Sequence, residues 1–235
     1  MKMIFKNQNK KGELTTKQLV TIIILIVSFV IILFLIFRLN LGETTNQEIC
    51  RNSVVLRGQS ALTTGPLDCK TNYLTISTEN KQEIMKAIAD EMASCWWQFG
   101  EGKIDYGGGF TSTSVHYAIC SIISFDEKIQ EKVPSISNAE FYDYLRKNNK
   151  TQSQTYLQYI YSTNVIGEFG DEKYFGFSLS DSIDTSQKYS VLTGIDNNLG
   201  VLFVGNDDKI LNVFIIPTAE TSSRLAENRE FITKA

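Results

Sequence analysis

The sequence predicts an α+β protein: an N-terminal transmembrane helix followed by an antiparallel sheet domain with packed helices. Three observations predict it. One long run is apolar without interruption, two later segments carry helical spacing with caps, and several β-branched stretches are separated by Asn, Asp and Gly turns.

The first 18 residues form a basic tail. Lys2, Lys6, Lys10, Lys11 and Lys17 stand against Glu13 alone, a net charge of about +4. The run Leu19–Phe37, LVTIIILIVSFVIILFLIF, follows with no charged residue. As a helix it spans about 28 Å, close to the hydrocarbon thickness of a bilayer. It exceeds the length of a cleaved signal's apolar core, and RLNLGETTNQE after it offers no small-x-small cleavage site. Residues 19–38 therefore read as an uncleaved signal anchor. Positive charge stays inside, so residues 1–18 are expected in the cytoplasm and the C-terminal domain outside.

A short polar linker is expected over 39–49, and one α+β domain over 50–235. The chain holds 23 basic and 26 acidic residues, so removing the tail's five Lys and one Glu leaves 18 and 25, or −7. An acidic outer domain argues against nucleic acid as a partner. The expected contacts are the lipid bilayer through residues 19–38 and a protein partner or a second copy of the chain.

Cys50, Cys69, Cys95 and Cys120 all lie beyond the apolar run. An even number on the outer side reads as disulfides. Of three possible pairings, proximity in sequence favours Cys50–Cys69 and Cys95–Cys120, each closing a loop worth about 3 kcal/mol in the chain-entropy model. The competing reading is a metal site of Cys95, His116 and Cys120. His116 and Cys120 would share a face of a strand, but no CxxC or HxxxH supports it. No cofactor is expected.

A helix is predicted over Glu79–Phe99, capped by Ser77 or Thr78. Ile84, Met85, Ile88, Met92, Cys95, Trp96 and Phe99 form its apolar stripe, and Gly100 and Gly102 end it. Trp97 lies about 100° from Trp96 and is the candidate for contact with a partner. A second helix is predicted over Asn138–Lys150, with Ser137 and Glu140 as a capping box and Ile136 and Phe141 as a hydrophobic staple. Asn149-Lys150-Thr151 at its end is an N-glycosylation acceptor triplet, with Asn149 the candidate residue.

Strands are predicted over Phe110–Phe125, Thr155–Ser162, Lys188–Ile195, Leu199–Val204 and Ile210–Pro217, the last three as an antiparallel meander. For Thr155–Ser162 a short helix is the alternative. Ala219–Ala235 reads as a terminal helix.

No catalytic residue emerges. His116 is the one histidine, and no G-x-S-x-G is present. Gly107, Gly108 and Gly109 lack the G-K-[ST] of a phosphate loop, and Asp181, Asp184, Asp196, Asp207 and Asp208 do not fit a calcium loop. Tyr142, Tyr144, Tyr156, Tyr159 and Tyr161 form aromatic clusters best explained by packing.

Together, KGELTTKQLV with its apolar run, LNLGETTNQEICRNSVVLRG and CWWQFGEGK resemble an uncharacterised group of exported, single-anchor, cysteine-containing membrane proteins of small-genome archaea. That resemblance implies a shared architecture and no activity. The N-terminus is also similar to archaeal class III, prepilin-type signals in Lys10-Lys11-Gly12-Glu13-Leu14-Thr15, although Lys17 stands where that pattern has glutamate. This second resemblance implies cleavage after Gly12.

The expected function is a binding or scaffold domain displayed on the cell surface. One alternative is a pilin-like surface-appendage subunit processed after Gly12. A second is an extracellular enzyme that uses carboxylates.

Overall fold

The computed structural model describes residues 16–38, 41–59, 67–107, 115–162, 181–196, 210–225 and 229–233. The chain forms two units, Met1–Thr44 and Thr45–Ala235. Helix α1, Thr16–Arg38, belongs to the first. Helix α2 covers Leu41–Gln59, so residues 41–49 of the segment expected as a polar linker are helical. Its buried residues Cys50, Val54 and Arg57 recur at helical spacing, a signal the sequence carries.

The second unit is α+β, as expected, but its main sheet is mixed rather than antiparallel. Strand β1, Asn72–Ile76, lies parallel to β2, Val115–Phe125, with Asn72 opposite Ser121 and Ile76 opposite Phe125. Helix α3, Lys81–Gln98, connects them. A parallel pair needs a crossover of a dozen or more residues, and α3 supplies it. Strand β5, Tyr189–Asp196, pairs antiparallel with β2, and β6, Ile210–Pro217, pairs antiparallel with β5. Strand β7, Arg229–Phe231, runs parallel to the first residues of β2. The sheet thus has five strands in the order β1-β2-β5-β6, with β7 on the same edge of β2 as β1.

The remaining elements are α4, Glu127–Lys132; β3, Ser135–Ser137; α5, Asn138–Lys147; α6, Tyr156–Tyr161; and β4, Ser182–Asp184. Strand β3 pairs with β4 in a separate small sheet. A 3-10 turn at Thr218–Glu220 and a short helix α7, Thr221–Arg224, precede β7. The described residues of Ala219–Ala235, expected as one terminal helix, thus include a short helix and a strand instead. Thr155–Ser162 is helical as α6 and not a strand. Thr155 accepts from the Gln158 amide while the Gln158 side chain accepts from the Thr155 amide, a reciprocal cap that starts a helix. The expected strand Leu199–Val204 lies outside the described residues.

Helix α3 packs across β2, β5 and β6 and supplies Ile84, Met85, Ile88, Met92, Cys95 and Trp96 to the main core. Its cap is Asn80, whose side chain accepts from the amides of Gln82 and Glu83. For α5, Ser137 accepts from the Glu140 amide, one half of the predicted box, while the Glu140 carboxylate accepts from Lys81 Nζ at 2.5 Å; Ile136 and Phe141 are both fully buried.

Strand β2 contains a bulge that determines which side chains meet α3. Ile119 pairs with Leu192 and Ser121 with Val191, so Cys120 is an extra residue. Before it, Ala118 faces the main core while Val115 and Tyr117 face a second cluster with Leu192, Phe214, Ile216 and Leu225. After it, Ile123 and Phe125 face the main core. An unbroken alternation would have sent those two to the opposite face.

Candidate functional site

The side chains described in α1 are those of residues 18–34. Leu, Ile, Val and Phe are exposed at every turn of it, from 37% at Leu33 to 63% at Leu25. Consecutive residues such as Leu25, Ile26 and Val27 are all exposed, so the apolar surface runs round the whole helix. The hydroxyl of Ser28 donates to the Leu25 carbonyl at 2.9 Å, so this polar group is satisfied within the helix. Among the described residues no helix is long and apolar enough to cross a membrane. In the sequence the apolar run continues past residue 34 to Phe37.

All four cysteines lie in the second unit and are paired. Cys50–Cys69 ties α2 to the segment leading into β1, and Cys95–Cys120 ties α3 to the bulge of β2. These are the pairings that proximity favoured. They overturn the alternative of a metal held by Cys95, His116 and Cys120, because both sulfurs are consumed in a covalent bond. His116 itself is fully buried on β2. Among the described residues no group of three His, Cys, Asp or Glu side chains is placed to hold a metal.

Trp97 is half-buried. The Arg51 guanidinium of α2 lies 4.5 Å from its ring centroid and also donates to the Trp97 carbonyl. A cation at the carbonyl end of α3 complements the helix dipole as well. One face of the ring expected to meet a partner is therefore covered from within the chain.

Two carboxylates sit at the centre of polar junctions. Asp90 of α3 accepts from Lys86 Nζ at 2.6 Å, Tyr156 OH at 2.7 Å and Lys150 Nζ at 3.1 Å. Burial raises its pKa, but the three hydrogen bonds and the Lys150 charge outweigh that and hold it below the usual carboxylate range. Tyr156 is pushed up, first by burial and then by its bond to Asp90. Glu101 accepts from Tyr159 OH at 2.8 Å, with Lys103 at 3.5 Å and Arg51 at 3.8 Å. It lies in a tight turn after α3, where Gly100, Glu101 and Gly102 have φ of 83°, 57° and 72°. A left-handed conformation is unusual for a residue with a side chain. Burial and the bond to Glu101 push Tyr159 up.

Chemically these junctions are clamps. A general acid near neutral pH needs a carboxyl raised toward 6 or 7, and Asp90 is shifted the other way. Tyrosines shifted upward stay protonated near neutral pH, so Tyr156 and Tyr159 are weak acids and hold no free base there. Asp90 binds α3 to α6, and Glu101 binds the end of α3 to α2 and α6. Neither pair was readable from sequence, because Tyr156 and Tyr159 lie 66 and 58 residues from their partners.

Of the other singled-out residues, Asp184 caps a turn by accepting from the Ser186 amide at 2.9 Å, and Gly107 donates to Asp105 Oδ1 at 2.9 Å. Asn149 is exposed in the loop after α5. Gly12, Gly108, Gly109, Asp207 and Asp208 lie outside the described residues. Comparison with protein-family models, curated proteins and solved structures finds no match to this chain.

Proposed function

We propose that this chain is a single-pass membrane protein whose helix α1 anchors an extracytoplasmic, disulfide-bonded α+β domain displayed on the cell surface for binding or scaffolding. The apolar circumference of α1 carries this reading. A helix with exposed Leu, Ile, Val and Phe on all sides is suited to hydrocarbon and not to water. The five lysines on its leading side favour an inside N-terminus. The two disulfides suit an oxidising compartment on the trailing side. Binding is favoured over catalysis because Asp90 and Glu101 are engaged by cations and tyrosines within the fold.

The test is alkaline carbonate extraction of membranes from cells making the full chain, with protease added to intact spheroplasts. The chain is expected in the carbonate-resistant pellet, with residues beyond the anchor digested from outside. Recovery in the carbonate supernatant, or protection of the C-terminal unit, sinks the proposal.

The second reading is a pilin-like subunit cut after Gly12. Lys11-Gly12 beside an all-round apolar helix supports it, since like helices can bundle as well as span lipid. N-terminal sequencing separates the two: a chain starting at Glu13 favours the pilin, and one retaining residues 1–12 excludes it.

A further inference from the structure

We infer that Asn149 is the acceptor of an N-linked glycan, which rests on the proposal that the C-terminal unit faces outward. Asn149-Lys150-Thr151 is the single N-x-[ST] triplet in the chain. What the fold adds is the way the triplet is held. Asn148 is the C-cap of α5 in extended conformation, and Asn149 forms an antiparallel bridge with Thr155. The flanking bonds run from the Tyr156 amide to the Asn148 carbonyl at 3.0 Å and from the Lys150 amide to the Gln154 carbonyl at 2.9 Å. Neither uses the main chain of Asn149.

Lys150, the middle residue, folds back onto the domain. Its ammonium lies 3.1 Å from Asp90 and 5.7 Å from the centroid of the Tyr156 ring. Asn149, Lys150 and Thr151 are all exposed, so the two recognised side chains are open to solvent while the Lys150 ammonium is held by Asp90. The Thr151 oxygen accepts from the amides of Ser153 and Gln154 at 3.4 and 3.1 Å, which fixes its position and leaves its hydroxyl proton directed elsewhere. The triplet is thus a held loop whose two recognised side chains are both exposed.

The donor is a sugar carried on a polyprenyl phosphate or diphosphate. The Asn149 Nδ2 lone pair forms a bond to the anomeric carbon. The bond from that carbon to the phosphate oxygen breaks and its electron pair leaves with the lipid phosphate. One Nδ2 proton passes to a carboxylate of the transferase.

The test is translation of the full chain with endoplasmic-reticulum microsomes, followed by gel shift and peptide-N-glycosidase digestion. A version carrying a second acceptor triplet on an added C-terminal extension reports translocation independently. The expected result is one glycan on the natural chain, two on the extended one, and the loss of one from each in Asn149→Gln. Thr151→Ser is expected to keep the modification and Thr151→Ala to lose it. A modified extension with a bare Asn149 overturns this inference and leaves the topology standing. If neither triplet is modified, the topology is overturned and the inference with it. A shift that survives Asn149→Gln also overturns it.

Discussion

Replacing Tyr156 by Phe removes one oxygen from the junction of α3 and α6 and leaves the ring in place. Tyr156 is 4% exposed, and its hydroxyl donates to Asp90 at 2.7 Å. A hydrogen bond to a charged group contributes about 1.5–3 kcal/mol net. The lower end applies here. The Asp90 side chain is 34% exposed, and it keeps Lys86 and Lys150 when the tyrosine oxygen is gone. The expected loss at pH 7 is about 1.5 kcal/mol, which at an m-value of about 2 kcal/mol/M lowers the urea midpoint by about 0.7 M.

The pH dependence carries a definite sign. The folded pKa of Asp90 is depressed, so its contribution is present above the unfolded carboxyl value and lost as pH falls through the folded one. The gap between the natural chain and Tyr156→Phe should be flat from pH 7 to about 5 and close below about 4. Fluorescence in urea reads the junction directly, because the chain's two tryptophans, Trp96 and Trp97, both lie on α3. A loss under about 0.5 kcal/mol, the ordinary scatter of surface substitutions, refutes the reasoning. So does a gap that persists unchanged at pH 3.

Three further outcomes are expected. Cys95→Ala with Cys120→Ala opens a loop of 25 residues, which costs about 3.5 kcal/mol and about 10 °C in melting temperature by calorimetry; a drop of a degree or two counts against the bond's role. Gly194→Ala places a Cβ 2.6 Å from the His116 carbonyl oxygen and 3.1 Å from the Tyr117 ring, so a loss of about 1–3 kcal/mol is expected by chemical denaturation. An unchanged midpoint would mean that β2 and β5 are less tightly apposed there. In α1, Ile23→Arg, Val27→Arg and Ile31→Arg together should release the chain into the carbonate supernatant. The apolar run contributes roughly −8 kcal/mol to insertion, and each change reverses it by roughly 3.5 kcal/mol. A triple variant still held in the membrane pellet would show that α1 is not the anchor.

What was legible in the sequence was local. Ser137 at the start of α5, the stripe of α3 and both disulfide pairings follow from neighbours within a few turns or a short loop. The T-x-x-Q cap of Thr155 and Gln158 was also present in the residues, yet the aromatic density of TYLQYIYS outweighed it and suggested a strand. For α3, Ser77 and Thr78 were plausible caps by residue type. Asn80 holds the position because its side-chain oxygen reaches two amides. The parallel pairing of β1 was not visible, since NYLTI is short and its partner lies beyond α3. The bulge at Cys120 was hidden for a different reason. An insertion in a strand reads as imperfect alternation, and only the opposing strand shows which residue is extra.

That bulge and the first turns of α2 bear on how the domain would resist a tether. Any pull along α1 enters the second unit through α2, because α2 follows it directly in the chain. Among the described side chains of α2 the first buried one is Cys50, and it is covalently fixed to Cys69. Arg51, the next residue, binds the Trp97 carbonyl and ring at the end of α3. From α3 the Cys95–Cys120 bond leads into the central strand β2. Load on the chain therefore meets a covalent bond within one turn of the first core contact. It then passes to α3 by a cation and to the sheet by a second covalent bond. Fraying of the entry helix under load is therefore expected to stop at Cys50, before it reaches the sheet and the Asp90 and Glu101 junctions.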